Sequence, residues 1–300
     1  MRIRGVLFWL CTLTISAAVF VGFAGQFHPI GDSFAAFRLH FGAAAVLFWA
    51  WAAFSGRLWA ERVGGVTACV ALGSILWVAI WPRAQEPQDG ITVFQHNMLF
   101  RNETIDAVVA QVAQLNADVV LLQEVLPEHR VHLEQIETYS TIQHCDRYAV
   151  MNNVILSKWP ALQVGCHNRA SWAQISTPVG PVTFVSLHLP WPWPASQALA
   201  VDRLIPVLSA LPQPVVLGGD YNAAPWSNAV SQLASVADVV SVPGLRLTFA
   251  DPRFWPGLPI DHIHMPRGWV GAAHLTGRAG SDHRGTFATI GPLPEPVGIR

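Results

Sequence analysis

The feature that most constrains the fold of this chain is an abrupt change in composition near residue 82. Before it the chain is almost continuously apolar, whereas charges, prolines and turn residues reach globular frequencies after it. Three apolar stretches approach the roughly 20 residues that cross a bilayer as a helix. They are residues 5–24, 34–54 and 63–81. The sequence therefore predicts a transmembrane anchor over residues 1–82, a linker at 83–90 and one soluble domain over 91–300.

Basic residues flanking these stretches predict which side of the membrane the soluble domain occupies. Arg2 and Arg4 precede the first stretch, and Arg57 and Arg62 lie between the second and the third. The intervening loop has neither Lys nor Arg, although Arg83 weakly opposes the pattern. Because cytoplasmic loops carry an excess of positive charge, we expect a multi-pass protein of the cell membrane with an extracytoplasmic soluble domain. The first stretch resembles a signal peptide, but its apolar run is longer than a usual signal core.

The cysteines and the net charge of the soluble part bear on its compartment and its partners. Cys145 and Cys166 can either pair in an oxidising compartment or remain free thiols. Residues 90–300 carry 12 Lys plus Arg and 15 Asp plus Glu, a net charge of −3. Tight non-specific binding of nucleic acid needs a basic surface, so this charge argues against a processive DNA-binding enzyme.

Short β-branched runs alternate with turns throughout the soluble part, which is typical of strands. The candidate strands are residues 91–96, 119–123, 153–157, 173–176, 182–188, 215–219, 247–250, 260–264 and 286–290. Two segments, 103–115 and 195–211, have apolar residues at helical spacing, and Pro206 is expected to kink or shorten the second helix. Many strands with helices between them predict two sheets packed face to face, with the helices outside.

Polar side chains suited to a metal and a phosphate group stand at or near the ends of these apolar runs. The positions are Asn97, Glu124, His188, Asp220, Asn222, Asp261, Asp282 and His283. A carboxylate such as Glu124 at the end of a buried strand is costly unless it meets a cation or a hydrogen-bond donor. Carboxylate and amide oxygens suit Mg²⁺, with Mn²⁺ as an alternative, and the Asn97 amide can either ligate such a cation or hold a neighbouring carboxylate. Alone, Asn97 is more often a turn residue, so the prediction rests on the whole set.

The order of these motifs resembles that of the endonuclease/exonuclease/phosphatase superfamily, which has the deoxyribonuclease I-like fold. The resemblance covers about residues 90–291, nearly the whole soluble part. It implies an α/β (α+β) fold, a four-layered αββα sandwich, preceded here by a three-helix transmembrane region. It also implies Mg²⁺-dependent hydrolysis of phosphoester bonds.

The resemblance further implies a role for each polar position. The metal ligands would be Asn97, Glu124 and Asp282. The catalytic residues would be His188, Asp220, Asn222, Asp261 and His283. Asp220 would align or deprotonate the attacking water, Asp261 would orient the His283 ring, and the others would donate to the phosphate oxygens. The resemblance leaves open whether Asp220 or His283 is the general base.

The anchor favours a substrate at the lipid bilayer, such as a phospholipid headgroup or a polyprenyl (pyro)phosphate, and the chain is similar to the membrane-anchored bacterial branch of the superfamily. The aromatic runs 191–193 and 254–255 flank site motifs and indicate either a rim at the membrane interface or ordinary loop packing.

Two alternatives stay open: an extracytoplasmic nuclease acting on DNA or RNA, and an inactive binding module. The extra site acid or tyrosine common in family nucleases has three candidates here, which are Tyr139, Asp146 and Tyr148.

Overall fold

Four N-terminal helices precede two β-sheets in the computed structural model, which describes residues 2–145, 152–167 and 169–293. The helices are α1 (Arg2–Val21), α2 (Ile30–Ala36), α3 (Arg38–Phe54), α4 (Leu58–Ile80), α5 (Ile105–Leu115), α6 (Pro127–Leu133), α7 (Gln197–Ser209) and α8 (Asn228–Val236). The strands are β1 (Ile91–Asn97), β2 (Val119–Val125), β3 (Thr141–Gln143), β4 (Asn152–Ser157), β5 (Ala161–His167), β6 (Ala170–Thr177), β7 (Gly180–His188), β8 (Val215–Asp220), β9 (Val239–Ser241), β10 (Asp261–Pro266), β11 (Trp269–Leu275) and β12 (Thr286–Pro292).

Each sheet has six strands and a central parallel pair. The strand orders are β11-β12-β1-β2-β4-β3 and β5-β6-β7-β8-β10-β9. Strands β1 and β2 run parallel in the first sheet, and β7 and β8 run parallel in the second. Parallel neighbours end at the same edge of a sheet, so the polar residues that follow these four strands are delivered to one end of the sandwich.

Three apolar clusters separate the layers of the sandwich. One lies between the two sheets and includes Val93, Phe184 and Val216. A second joins α5 and α6 to the outer face of the first sheet, and a third joins α7 and α8 to the outer face of the second. The order of layers is therefore helix, sheet, sheet, helix, as the resemblance implied.

Eight of the nine predicted strands coincide with observed strands to within three residues. The exception is 247–250, where only Phe249 forms isolated bridges. The pattern also failed to indicate β3, β5, β9 and β11. Two of these have three residues each, β5 is an edge strand with mostly exposed side chains, and β11 is an edge strand with mostly half-buried ones, so none carries a buried apolar run. Pro206 lies inside α7 without ending it.

The prediction of three membrane-spanning helices is not met by the N-terminal region. Among the residues described, one helix, α4, is long and apolar enough to cross a membrane. Helices α2 and α3 meet the same criteria only as a pair, which is bent by 67°, and the apolar segment Phe8–Val21 of α1 is shorter. The predicted span at 34–54 is interrupted at Phe37, and the residues before it turn aside to contact the sandwich.

A disulfide joins Cys145 to Cys166, which decides between the two states that the sequence left open. Cys145 follows β3, the edge strand of the first sheet, and Cys166 lies in β5, the edge strand of the second. The bond therefore links the two sheets at one side of the sandwich.

Candidate active site

Strand pairing brings the polar strand ends together at one edge of the sandwich. In the second sheet His188 is paired with Asp220, and Asp220 is paired with Asp261 at the start of β10. In the first sheet Asn97 ends β1, and Glu124 lies beside it near the end of β2. The two central parallel pairs thus supply most of the site directly.

Asn97 connects the two sheets through its side-chain amide. Its Nδ2 donates to Glu124 Oε1 at 3.0 Å and to Asp220 Oδ2 at 2.9 Å, while its Oδ1 accepts from the backbone N–H of Leu99. Of the two roles considered for this amide, the contacts with neighbouring carboxylates belong to the second, and ligation of a cation stays a prediction. The two acids are therefore brought to one point, although they lie nearly a hundred residues apart in sequence.

Glu124 reaches this point because β2 is irregular there. The pairing of β2 with β4 shifts between Leu122 and Val125, and Glu124 adopts a left-handed backbone conformation with φ 59°. Such a bulge re-aims a side chain that regular alternation would direct elsewhere. The second carboxylate oxygen of Glu124 accepts from the backbone N–H of Phe100 at 2.9 Å.

His188 lies against both acids. Its Nε2 is 3.7 Å from Glu124 Oε1 and 3.6 Å from Asp220 Oδ2, and Asn222 Nδ2 lies 3.4 Å from the same nitrogen. Burial lowers the pKa of His188 to about 4, although the charge of Glu124 opposes the shift. At neutral pH this ring is therefore uncharged.

His283 also approaches Asp220 and has a carboxylate partner of its own. Its Nδ1 is 2.7 Å from Asp261 Oδ2, and its Nε2 is 3.7 Å from Asp220 Oδ2. Burial lowers the pKa of His283, but the charges of Asp261 and Asp220 outweigh burial and raise it to about 10. Asp261 is also buried, yet the His283 charge holds the pKa of its carboxyl below the ordinary value.

Asp220, at the centre, has a pKa raised to about 7, first by burial and then by the negative charge of Asp261. Asn222 donates its backbone N–H to Asp220 Oδ1 at 2.8 Å. Asp282 is partly exposed at the rim, where its Oδ1 lies 4.0 Å from His283 Nε2. All eight predicted positions thus fall in one contiguous group, with Asp282 at its margin.

Four supporting residues were not assigned roles from the sequence. Gln95 Nε2 donates to Asp261 Oδ1 at 3.0 Å and to Gln123 Oε1 at 2.8 Å, and Gln123 in turn donates to Ser186. Thr248 accepts from the backbone N–H of Asp261. The sequence could have indicated Gln95 and Ser186, because these polar residues stand two positions before Asn97 and His188. Both are fully buried. Alternation in a strand puts such residues on the same face as the site residue.

The chemistry of the donor set fits a hard divalent cation. The carboxylate oxygens of Glu124 and Asp220 converge on one amide, and oxygen ligands of this kind are those that Mg²⁺ takes. Asp220, Asp261 and His283 also present ligand atoms within 4.8 Å of one another. That trio is a poorer ligand set, because His283 is already bonded to Asp261 and a metal-binding imidazole must be neutral.

The three candidates for an additional site residue have different outcomes. Tyr139 is buried away from the site, and its hydroxyl donates to the carbonyl oxygen of Ala117. It is therefore a structural residue of the first sheet's outer layer. Asp146 and Tyr148 lie outside the described residues.

The sequence of this chain matches a known protein family over the region that contains the site. The sequence model of the Endonuclease/Exonuclease/phosphatase family matches residues 94–283, which include all eight predicted site positions. No match was found among curated proteins.

Solved structures with the same fold were also found. An endonuclease/exonuclease/phosphatase from Beutenbergia cavernae is 19% identical, with a TM-score of 0.54 over 70% of this chain and 74% of the other. A Bacteroides vulgatus protein of the same description is 15% identical, with a TM-score of 0.59 over 68% of this chain and 100% of the other. TDP2 from D. rerio, solved with a single-strand DNA product, is 16% identical, with a TM-score of 0.55 over 68% and 100%. At these identities the likeness establishes the fold alone.

Proposed function

We propose that this chain, which belongs to the endonuclease/exonuclease/phosphatase family, is a membrane-anchored, Mg²⁺-dependent phosphoesterase with a membrane-associated substrate. Family membership makes the chain a hydrolase acting on phosphoester bonds. The observation that carries the proposal is the position of Asp220, whose Oδ2 lies within 3.7 Å of Nε2 of both His188 and His283 and is tied through Asn97 to Glu124.

Glu124 is the proposed principal ligand of the cation, with Asn97 and Asp282 completing or supporting the set. When bound, Mg²⁺ supplies Lewis-acid polarisation of a phosphoryl oxygen and neutralises developing charge. The pKa of Asp220 is raised first by burial and then by the negative charge of Asp261, and a bound cation would offset the second of these causes.

Asp220 is the proposed general base. Its pKa of about 7 leaves it largely ionised just above neutral pH and basic enough to accept a proton from the attacking water. The alternative base, His283, has a pKa of about 10 and is already protonated at neutral pH. His283 is therefore suited to donate to a phosphate oxygen on which charge accumulates, with its ring oriented by Asp261.

His188 and Asn222 are the proposed neutral donors of the site. Asn222 Nδ2 donates to the carbonyl oxygen of Leu189 at 2.9 Å, which holds the amide beside His188 Nε2. Two uncharged donors can contact the phosphate oxygens without repelling a nearby cation. They would orient the phosphate while His283 supplies the positive charge.

The anchor and its orientation are part of the same proposal. Helix α4 is the proposed span, and the bent pair α2 and α3 is a second only if the two helices cross as one unit. The apolar segment Phe8–Val21 of α1 is shorter and is not counted as a span. The distribution of arginines supports an extracytoplasmic sandwich, and the Cys145–Cys166 disulfide fits an oxidising compartment. We propose residues 1–82 as the anchor, 83–90 as the linker and 91–300 as the catalytic domain.

The test is a substrate panel with the full chain in lipid nanodiscs, with and without Mg²⁺, and with Asp220→Asn as the inactive control. The panel contains a phosphodiester lipid, a polyprenyl pyrophosphate, a soluble phosphomonoester and plasmid DNA. We expect Mg²⁺-dependent turnover of a lipid-linked substrate. Faster nicking of DNA would instead favour the extracytoplasmic nuclease, against which the net charge of the domain argues. Absence of any phosphoester hydrolysis would leave the inactive binding module.

A further inference from the structure

The bend between α2 and α3 contacts two loops of the sandwich. Ser33 Oγ donates to the carbonyl oxygen of Trp193 at 2.6 Å. His40 Nε2 lies 3.2 Å and 3.0 Å from the carbonyl oxygens of Phe254 and Trp255. Because carbonyl oxygens only accept hydrogen bonds, this nitrogen of His40 is the donor.

An aromatic contact reinforces the same junction. The ring of Phe37, at the bend itself, lies 5.8 Å from that of Phe254 and 6.2 Å from that of Trp191. Both separations lie within the range of about 4.5–7 Å that aromatic pairs prefer. Phe37 therefore packs against both loops at once.

Both loops border the active site. The first, residues 189–196, follows His188 directly. The second, residues 250–257, continues from a segment that runs beside His283: Ala250 N–H donates to the carbonyl oxygen of Asp282, and Arg284 N–H donates to that of Thr248, both at 2.8 Å. A shift of the second loop would be transmitted to the chain that carries His283.

Side-chain contacts also connect the 250–257 loop to His283. Phe254 packs against Phe249 with ring centroids 5.7 Å apart, and Phe249 packs against the His283 ring at 5.0 Å. A continuous series of rings therefore connects Phe37 in the bend to the imidazole of His283.

We propose that Phe37 and His40 are positioning residues for the hydrolytic reaction. They hold the 250–257 loop, and through Phe249 this loop fixes the ring of His283. The α2–α3 bend thus supports a loop beside the active site and is also part of the proposed anchor. The expected effect on the reaction rate rests on the proposed function, whereas the expected effect on the position of the 250–257 loop does not.

The bend has a second attachment that is independent of these two residues. Asp32 accepts from the backbone N–H groups of Asn228 and Ala229 at the start of α8, and Trp226 Nε1 donates to the carbonyl oxygen of Ala35. Substitution of Phe37 or His40 should therefore loosen the 250–257 loop without detaching the bend from the sandwich.

The kinetic test uses the full chain in lipid nanodiscs with Mg²⁺ and bis(p-nitrophenyl) phosphate. Displacement of a catalytic group by about 1 Å can reduce a rate about 100-fold, so we expect Phe37→Ala to lower kcat about 10- to 100-fold with KM nearly unchanged. Phe37→Leu should restore most of the rate, and His40→Gln, which keeps a donor, should exceed His40→Leu. The matched control is Phe54→Ala, a phenylalanine at the other end of α3 that is 93% exposed. Equal kcat for wild type and Phe37→Ala would overturn the proposal.

A second measurement does not depend on turnover. In hydrogen–deuterium exchange, the amides of Ala250 and Arg284 should exchange faster in Phe37→Ala than in wild type, while amides of β1 and β2 keep their protection. Unchanged exchange at both positions would refute the positional role even if the enzyme is active. If the wild type hydrolyses no phosphoester, the proposed function fails, and exchange alone decides whether the bend positions the His283 segment.

Discussion

His188 and His283 approach the same oxygen of Asp220, at 3.6 and 3.7 Å, but they differ in what their other ring nitrogen meets. His283 Nδ1 is bonded to Asp261, whereas Nδ1 of His188 has no hydrogen-bond partner within the described part of the chain. Both rings are buried, with 5% and 7% of their surface exposed for His283 and His188. Their pKa values nevertheless move in opposite directions, to about 10 and about 4.

The difference shows that the partner, rather than burial, decides the charge of an imidazole in this site. Burial lowers the pKa of both rings, because desolvation disfavours the cation. Only His283 has a buried carboxylate within hydrogen-bonding distance to reverse the effect. The site thereby contains one cationic and one neutral donor beside the proposed base.

The largest effect is expected from Asp220→Asn, which removes the carboxylate that both rings share. A general base contributes about 10²–10⁴-fold to a rate, so we expect kcat to fall by that factor. Asn keeps the shape of the side chain, and the thermal unfolding temperature should not fall. Steady-state kinetics and calorimetry measure the two quantities. A variant that retains more than about a tenth of wild-type turnover would show that Asp220 is not the base.

The fall in kcat should differ between the two variants in which one histidine, His283 or His188, is replaced by glutamine. His283→Gln removes a cationic donor, and loss of one such donor costs about 10²–10³-fold in kcat. His188→Gln removes a neutral donor and should cost about tenfold, the worth of an ordinary hydrogen bond. The ratio of the two kcat values is the informative quantity. Equal losses would mean that the two rings have the same charge in the working enzyme.

Asp261→Asn should bring the pKa of His283 closer to that of His188. In the wild type, turnover should rise with pH through about 7, as Asp220 ionises, and fall through about 10, as His283 loses its proton. The substitution removes the charge that raises both pKa values, so both limbs of the pH–rate profile should move to lower pH. A profile measured from pH 5 to 11 tests this. An alkaline limb that stays in place would exclude Asp261 as the source of the His283 charge.

The smallest effect on turnover is expected from removal of the disulfide. Cys145→Ala with Cys166→Ala removes the link between the two sheet edges and leaves both imidazoles and their carboxylate neighbours in place. A bond that closes a loop of this length, with a sequence separation of 21, contributes about 3 kcal/mol to stability. We therefore expect a lower thermal unfolding temperature, an unchanged pH–rate profile and an unchanged ratio between the His283→Gln and His188→Gln losses. A shifted profile would mean that the sheet edges influence the site.

Much of the site could be located from the sequence, because its residues stand at the ends of buried strands. Asn97, Glu124, His188 and Asp220 terminate central strands or lie within one residue of their ends, and such ends meet whenever the strands are parallel. The charge states of the two imidazoles could not be predicted. They depend on which ring nitrogen faces a buried carboxylate, and that is a property of the folded arrangement.

In the N-terminal helical region, the presence of apolar helices could be predicted from the sequence but their contacts could not. Its apolar composition identifies it at once, but composition does not show that the second predicted span bends at Phe37. The polar residues near the bend have partners far along the chain: Ser33 bonds 160 positions away and His40 bonds 215 positions away. No local pattern encodes such partners. Within the sandwich, Thr248 escaped prediction for the same reason, since it supports Asp261 from a segment that is not a strand.

The left-handed backbone of Glu124 has a consequence for how this protein would tolerate change. A glutamate with φ 59° in a strand holds a conformation that costs about 1–3 kcal/mol, and glycine adopts it freely. Glu124→Gly should therefore relieve this strain while abolishing hydrolysis, although it also removes the bonds to Asn97 and Phe100. A homologue with glycine at this position would keep the bulge in β2 and would lack the proposed principal ligand of the cation.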